Sequence, residues 1–129
     1  MLKTHNPDAI SSSRSNYSHG VEVPANARWL YISGQVAVAP DGSTPEDIDA
    51  QMALAFDHVQ TVLASAGMGL EDVVRLNTYV TDIAYFPAFR ALRNRLFTKH
   101  KAASTAVAVA ALAHPGLKVE IEAVAAKAV

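Results

Sequence analysis

T-P-E-D-I-D-A-Q-M-A-L-A-F-D-H-V-Q-T-V-L-A-S-A-G, Thr44 to Gly67, is the stretch on which the fold turns. Ile48, Met52, Ala55, Phe56, Val59, Val62, Leu63 and Ala66 recur at spacings of three and four, the period of one helical face. Thr44 stands where an N-cap belongs, and Pro45 suits the first helical position, where its missing N–H has no intrahelical partner. Acids fill the first turn, and Gly67 ends the run as a left-handed C′ residue. A helix with a single apolar face has to lie on a sheet.

Strands flank it on both sides. Upstream, Val21 and Val23 alternate with polar neighbours, Pro24 to Asn26 turns, and Arg28-Trp29-Leu30-Tyr31-Ile32-Ser33 is rich in aromatic and β-branched residues. Asp41-Gly42 punctuates the next connection. Downstream, Asp72 to Thr81 alternates, with Val74, Leu76, Thr78 and Val80 on one side and Arg75, Asn77 and Tyr79 on the other. A second helix follows, roughly Ala84 to Lys99, with Phe86, Phe89, Leu92 and Leu96 inside. Arg93, Arg95, Lys99 and His100 fall in its C-terminal half, where the helix dipole favours cations. Ser104 to Leu112 and Lys118 to Ala126 read as strands around a turn at His114-Pro115-Gly116.

The order ββαβαββ describes an α+β two-layer sandwich with both helices on one face of a mixed sheet. Ala106, Ala108 and Ala110 alternate with Thr105, Val107 and Val109, so the other face is expected to carry small apolar residues. A sheet that is apolar on both sides and covered on only one needs a partner, which points to an oligomer.

The 129 residues fit one domain, 1–129, in which residues 1–15 form a polar arm with a serine patch at Ser11, Ser12 and Ser13. Half the residues are hydrophobic and 18% are charged, a balance that excludes disorder. A net charge of −1 supplies no field to attract nucleic acid or an anionic membrane. There is no cysteine, so disulfides, thiolate metal sites and a cysteine nucleophile are excluded. The start of the chain lacks the apolar core of a signal peptide, and Thr105 to His114 is too short to span a bilayer. A cytoplasmic location is expected. His5, His19, His58, His100 and His114 are too scattered for a metal site, and no phosphate loop or dinucleotide fingerprint occurs.

Five blocks together carry a specific likeness: YSHGV (Tyr17 to Val21), LYISGQVAVAPDG (Leu30 to Gly42), AGM at Ala66 followed by EDVV at Glu71, YVTD (Tyr79 to Asp82), and LAHPGLKVEIEAVA (Leu112 to Ala125). In order and spacing the chain resembles the RidA (YjgF-type) reactive-intermediate deaminases from about Asn16 to its end. The resemblance implies a chorismate-mutase-like fold, here a mixed six-stranded sheet with two helices on one face. It also implies a homotrimer with a cleft between each pair of subunits. Members of that family hydrolyse small enamines and imines to 2-keto acids and ammonia without metal or organic cofactor.

The resemblance assigns roles residue by residue. Glu120 matches the catalytic glutamate, which directs water; by residue type alone it belongs to a solvated strand face shared with Glu122. Tyr17 matches a tyrosine that lines the cleft, and Ser33 and Gly34 match a segment that offers a hydroxyl and backbone N–H groups to the ligand. A strand glycine is equally a mark of a bulge or a close backbone approach. Deaminating members carry an arginine that clamps the substrate carboxylate, and its position falls on Ser104, followed by Thr105. Serine offers hydrogen bonds but no charge. Arg90 aligns with a cleft-facing position of the second helix and is the replacement cation expected from the sequence. His19 carries less weight.

Three functions follow. The first is cofactor-free hydrolysis of an enamine, imine or related small molecule by Glu120, with altered substrate choice. The second is a trimer that binds a small metabolite without turning it over. RNA cleavage ranks last: Arg93, Arg95, Lys99 and Lys101 make a basic cluster, but without the interleaved aromatics that stack bases.

Overall fold

The computed structural model describes residues 1–10 and 16–129. The serine patch at Ser11 to Ser13 lies outside the described residues. Strands β1 (Lys3–His5), β2 (Gly20–Glu22) and β3 (Ala27–Val36) precede helix α1 (Ile48–Ser65). Strand β4 (Val73–Val80), helix α2 (Phe86–Leu96), and strands β5 (Ala103–Ala108) and β6 (Val119–Ala128) follow. The main sheet has four strands in the order β3-β6-β4-β5. β6 runs antiparallel to both β3 and β4, while β4 and β5 are parallel. The parallel pair is joined by α2, since such a pair cannot be closed by a tight turn.

The six-strand expectation divides into this sheet and a two-stranded β1–β2 ribbon. Among the described residues, the N-terminal arm pairs with β5 at Ser18, which bridges Ala103 and donates its N–H to the Ala102 carbonyl at 3.0 Å. From Gly20 onward the chain pairs with Lys3–His5 instead, and His5 meets Glu22 at 2.9 Å. The arm is therefore partly a strand.

Helix α1 begins later than the sequence suggests. Asp47, not Thr44, is its N-cap, with a carboxylate oxygen accepting the Ala50 N–H at 3.0 Å. Gly67 does close it, at φ +69°. Gly67 and Met68 donate to the carbonyls of Ala64 and Leu63 at 3.0 and 2.9 Å, a Schellman ending in which buried Met68 and Leu63 lie together. Helix α2 is shorter than expected, because Ile83–Tyr85 is a separate 3-10 turn capped by Asp82. Strand β5 stops at Ala108, where its partner β4 runs out at Val80; the Val109 N–H makes the last bond, to the Val80 carbonyl at 2.8 Å, and 110–112 have no ladder to join.

The helices cover one sheet face. Val119, Ile121, Ala123 and Ala125 of β6 and Leu76 and Val80 of β4 pack under Met52, Phe56, Val59 and Leu63 of α1. The Phe56 and Phe89 rings stack at 6.1 Å and join the helices. Val73 is fully buried at the start of β4, where an irregularity between Val73 and Arg75 displaces Val74 from the alternation. The opposite face is not the small apolar surface expected. It carries Trp29, Tyr31, Arg75, Asn77, Tyr79, Glu120, Glu122 and Val107, with Tyr31 76% exposed.

Gln51 is wholly buried and satisfies every polar atom of its amide. Its Nε2 donates to the carbonyls of Pro45 and Gly116, both at 2.8 Å, and its Oε1 accepts the Lys118 N–H at 2.9 Å. One side chain thus ties the entry of α1 to the turn that launches β6. Gln51→Leu takes these partners from the Pro45 and Gly116 carbonyls and the Lys118 N–H and buries nothing polar in their place. It is expected to lower stability by about 2–4 kcal/mol, read as a denaturant-midpoint shift at constant m-value. A shift below about 0.5 kcal/mol would contradict this.

Candidate active site

β6 alternates, so Glu120 and Glu122 point away from the helices while Val119 and Ile121 enter the core. Glu120 sits between Val36 of β3 and Tyr79 of β4. Next to it the β3–β6 ladder slips. Ile32 faces Ala123 and Gln35 faces Ile121, so Ser33 and Gly34 together stand opposite the single residue Glu122. This two-against-one count is a β-bulge, which withdraws backbone groups from the ladder.

Gly34 is glycine because Glu120 lies over it. A Cβ built there falls 1.8 Å from the Glu120 Oε2, 2.7 Å from its Cδ and 2.9 Å from its Cγ. Gly34 and Glu120, from two different sequence blocks, are therefore in contact, with Ser33 beside Gly34 in the bulge.

The second glutamate has other work. Glu122 Oε1 accepts from the Tyr79 hydroxyl at 2.5 Å and from Asn77 Nδ2 at 3.2 Å. Arg75 donates to Asn77 Oδ1 at 2.9 Å and to Thr105 Oγ1 at 2.6 Å. The bond to Glu122 raises the Tyr79 pKa above its ordinary value, with burial and the Glu122 and Glu120 charges adding to it, which keeps the phenol a donor. Glu122 is a node of this cross-strand network, and Glu120 stands outside it.

The remaining residues gather elsewhere. Tyr17 and His19 flank the Ser18 bridge on the β5 edge, their rings edge to face at 5.5 Å. Ser104 lies beside Leu76 in the β4–β5 register and turns toward the helix layer, where Arg93 Nη1 of α2 donates to its Oγ at 3.4 Å. Arg93 is only 5% exposed, with its guanidinium 4.9 Å from the centre of the Phe89 ring. Burial lowers its pKa first and the neighbouring Arg90 charge second, while Tyr17 raises it. Arg90 itself is exposed. Thr105 faces the other side of the sheet, on Arg75.

Tyr17, Arg93 and Ser104 thus form a second group, at the β5 end of the sheet. β6 and β5 are separated by β4, a span of about 9–10 Å at ordinary strand spacing. A concavity of about 570 Å³ lined by Gln60, Glu71, Phe97, Lys99 and His100 lies at the C-terminal ends of the helices and includes no residue of either group. By residue type Arg93 reads as one of the cations that the dipole favours in the C-terminal half of α2. Its spacing of four from Phe89 already placed it on the inner stripe.

Residues 7–127 match the model of the family described as Endoribonuclease L-PSP. The chain belongs to that family. The relative named 2-iminobutanoate/2-iminopropanoate deaminase from Escherichia coli K12 is 31% identical over 131 residues, spanning 98% of this chain and 99% of its own. Within the same family, a Rid protein of unknown function from Yersinia pestis has a structure that superposes with a TM-score of 0.87 at 35% identity, covering 96% and 97% of the two chains. The E. coli YjgF product gives 0.68 at 31% identity, covering 95% and 97%. The RidA/YjgF likeness of the sequence blocks and the two-layer fold therefore stand. Among the described residues, no helix is long and apolar enough to cross a membrane.

Gly34→Ala tests the bulge. The atoms it meets end a flexible side chain, so the fold is expected to survive while Glu120 swings aside. The expected result is a displaced Glu120 side chain in the variant's crystal structure with a melting shift under about 4 °C. A Glu120 side chain left in place over residue 34 would contradict the contact.

Proposed function

We propose that the chain hydrolyses a small imine or enamine to a carbonyl compound and ammonia, with Glu120 directing the water. The observation that carries this reading is the seating of Glu120 across Gly34, outside the network that holds Glu122. The deaminase names of full-length relatives support it. The imine carbon is already electrophilic, so the protein's task is placement and proton movement. The water oxygen bonds to that carbon as Glu120 takes its proton. The C=N pair moves to nitrogen, which takes the proton from Glu120. The new hydroxyl then gives its proton to nitrogen, the C–N bond breaks, and ammonia leaves as C=O forms. An enamine enters this sequence after tautomerising to its imine.

The two groups of side chains lie apart in one chain, which supports a homotrimer whose clefts join the Glu120 group of one copy to the Tyr17–Ser104 group of the next. The exposed Trp29, Tyr31 and Val107 on the helix-free face favour such burial. A cysteine-free chain of this kind suits the cytoplasm.

Ser104 at the clamp position favours one second reading, a trimer that binds a small metabolite without turnover. The RNA-cleavage reading loses weight, because buried Arg93 drops out of the basic cluster.

Ammonia release from 2-iminobutanoate generated in situ separates these readings. Wild type is expected to turn over, and Glu120→Gln to be slower by about 10²–10⁴-fold with unchanged folding. Equal rates in the two proteins would overturn the role of Glu120, and a silent wild type that still binds the product would favour the binding trimer.

A further inference from the structure

We propose that Glu122 is a positioning residue for the reaction: by taking the Tyr79 hydroxyl it keeps that donor off Glu120. The carboxylate that acts on water is thereby left free to accept a proton. The proposal rests on the imine-hydrolase reading and adds a residue to it.

Tyr79 stands directly opposite Glu120 in the β4–β6 register, and Asn77 stands directly opposite Glu122. Both pairs lie on the helix-free face. Directly opposed side chains of an antiparallel pair start about 4.5–5.5 Å apart, closer than diagonal neighbours. Proximity alone would therefore give the phenol to Glu120. It runs along the diagonal instead, and its hydroxyl donates to the Glu122 Oε1 at 2.5 Å. Glu120 is still near enough for its charge to act on that phenol.

Neighbouring side chains hold Glu122 where it receives this bond. Asn77 Nδ2 donates to the same oxygen at 3.2 Å. Arg75 donates to the Asn77 Oδ1 at 2.9 Å, which orients the amide with its nitrogen toward Glu122. Thr105 of β5 anchors Arg75 in turn, at 2.6 Å. Each donor points at the next acceptor, and the chain ends on the glutamate that Tyr79 selects.

The alternative bond would harm Glu120 in two ways. A hydrogen bond to a carboxylate favours its charged form and so weakens it as a base. It would also draw the side chain toward β4, away from the Gly34 backbone of β3, over which it now lies. Phenylalanine at 79 would make the device unnecessary, and this gives the test its form.

Ammonia release from 2-iminobutanoate generated in situ is measured for wild type, Glu122→Ala, Tyr79→Phe and the double variant. Glu122→Ala frees the phenol and is expected to lower kcat about 10- to 100-fold, with KM within about 3-fold of wild type. Tyr79→Phe is expected to keep kcat within about 3-fold of wild type, and the double variant to recover to that level. A merely structural Glu122 would not be repaired by a second truncation. Glu122→Leu takes the place of the Ala variant if that one does not fold. In the crystal structure of the Glu122 variant the Tyr79 hydroxyl is expected on Glu120, with Glu120 drawn off Gly34.

Full kcat in the Glu122 variant, no recovery in the double variant, or a loss in Tyr79→Phe as large as in Glu120→Gln overturns the proposal. A phenol that stays off Glu120 in that crystal structure overturns it as well. A wild type that releases no ammonia sinks the hydrolase reading instead, and the crystal structure then decides the contact by itself.

Discussion

The placement of strand β6 rests on the buried amide of Gln51. β6 is the last strand in sequence, yet it enters the middle of the sheet, between β3 and β4. Such a strand needs its register set before it pairs on both sides, because a slip of one residue reverses every side chain. Gln51 sets it by binding the Gly116 carbonyl and the Lys118 N–H immediately before β6 starts. From that anchor Val119 and Ile121 fall into the core and Glu120 falls on the helix-free face. A polar group in the core, fully satisfied, thereby fixes the position of a carboxylate on the opposite side of the sheet.

The same face shows how two identical side chains two residues apart acquire different roles. Tyr79 and Asn77 consume the hydrogen-bonding capacity of one Glu122 oxygen, and Arg75 extends the chain to Thr105. Among the described residues Glu120 meets no such donor; it meets the bare backbone of Gly34 at a bulge. Environment, rather than residue type, separates the carboxylate held in a cross-strand network from the one proposed to act on water.

Much of this is legible in the sequence. The stripe from Ile48 to Ala66, the closing Gly67 and the alternation of β6 follow from period and turn chemistry, and the structure keeps all three. Thr44 was a reasonable cap by type, but Asp47 reaches the Ala50 N–H and starts the helix there. The length of β5 was not readable, because it is set by where its partner β4 ends. Ser33, Gly34 and Glu120 could be named from the family likeness, whereas their contact depends on a ladder slip that no local pattern marks. Arg93 carried a signal in its spacing from Phe89. Its charge outweighed that signal, since an arginine on an apolar stripe is ordinarily read as solvated.

In the proposed trimer, a working site forms where the Glu120 group of one copy meets the Tyr17–Ser104 group of another. The most direct measurement is ammonia release by trimers assembled from an equal mixture of Glu120→Gln and Tyr17→Ala chains, each expected to be nearly inactive alone. Random assembly places one intact half from each parent in about a quarter of the clefts, so about a quarter of wild-type activity is predicted. Activity no greater than the average of the two parents would contradict the account, because it would mean that each chain carries both groups of its own site.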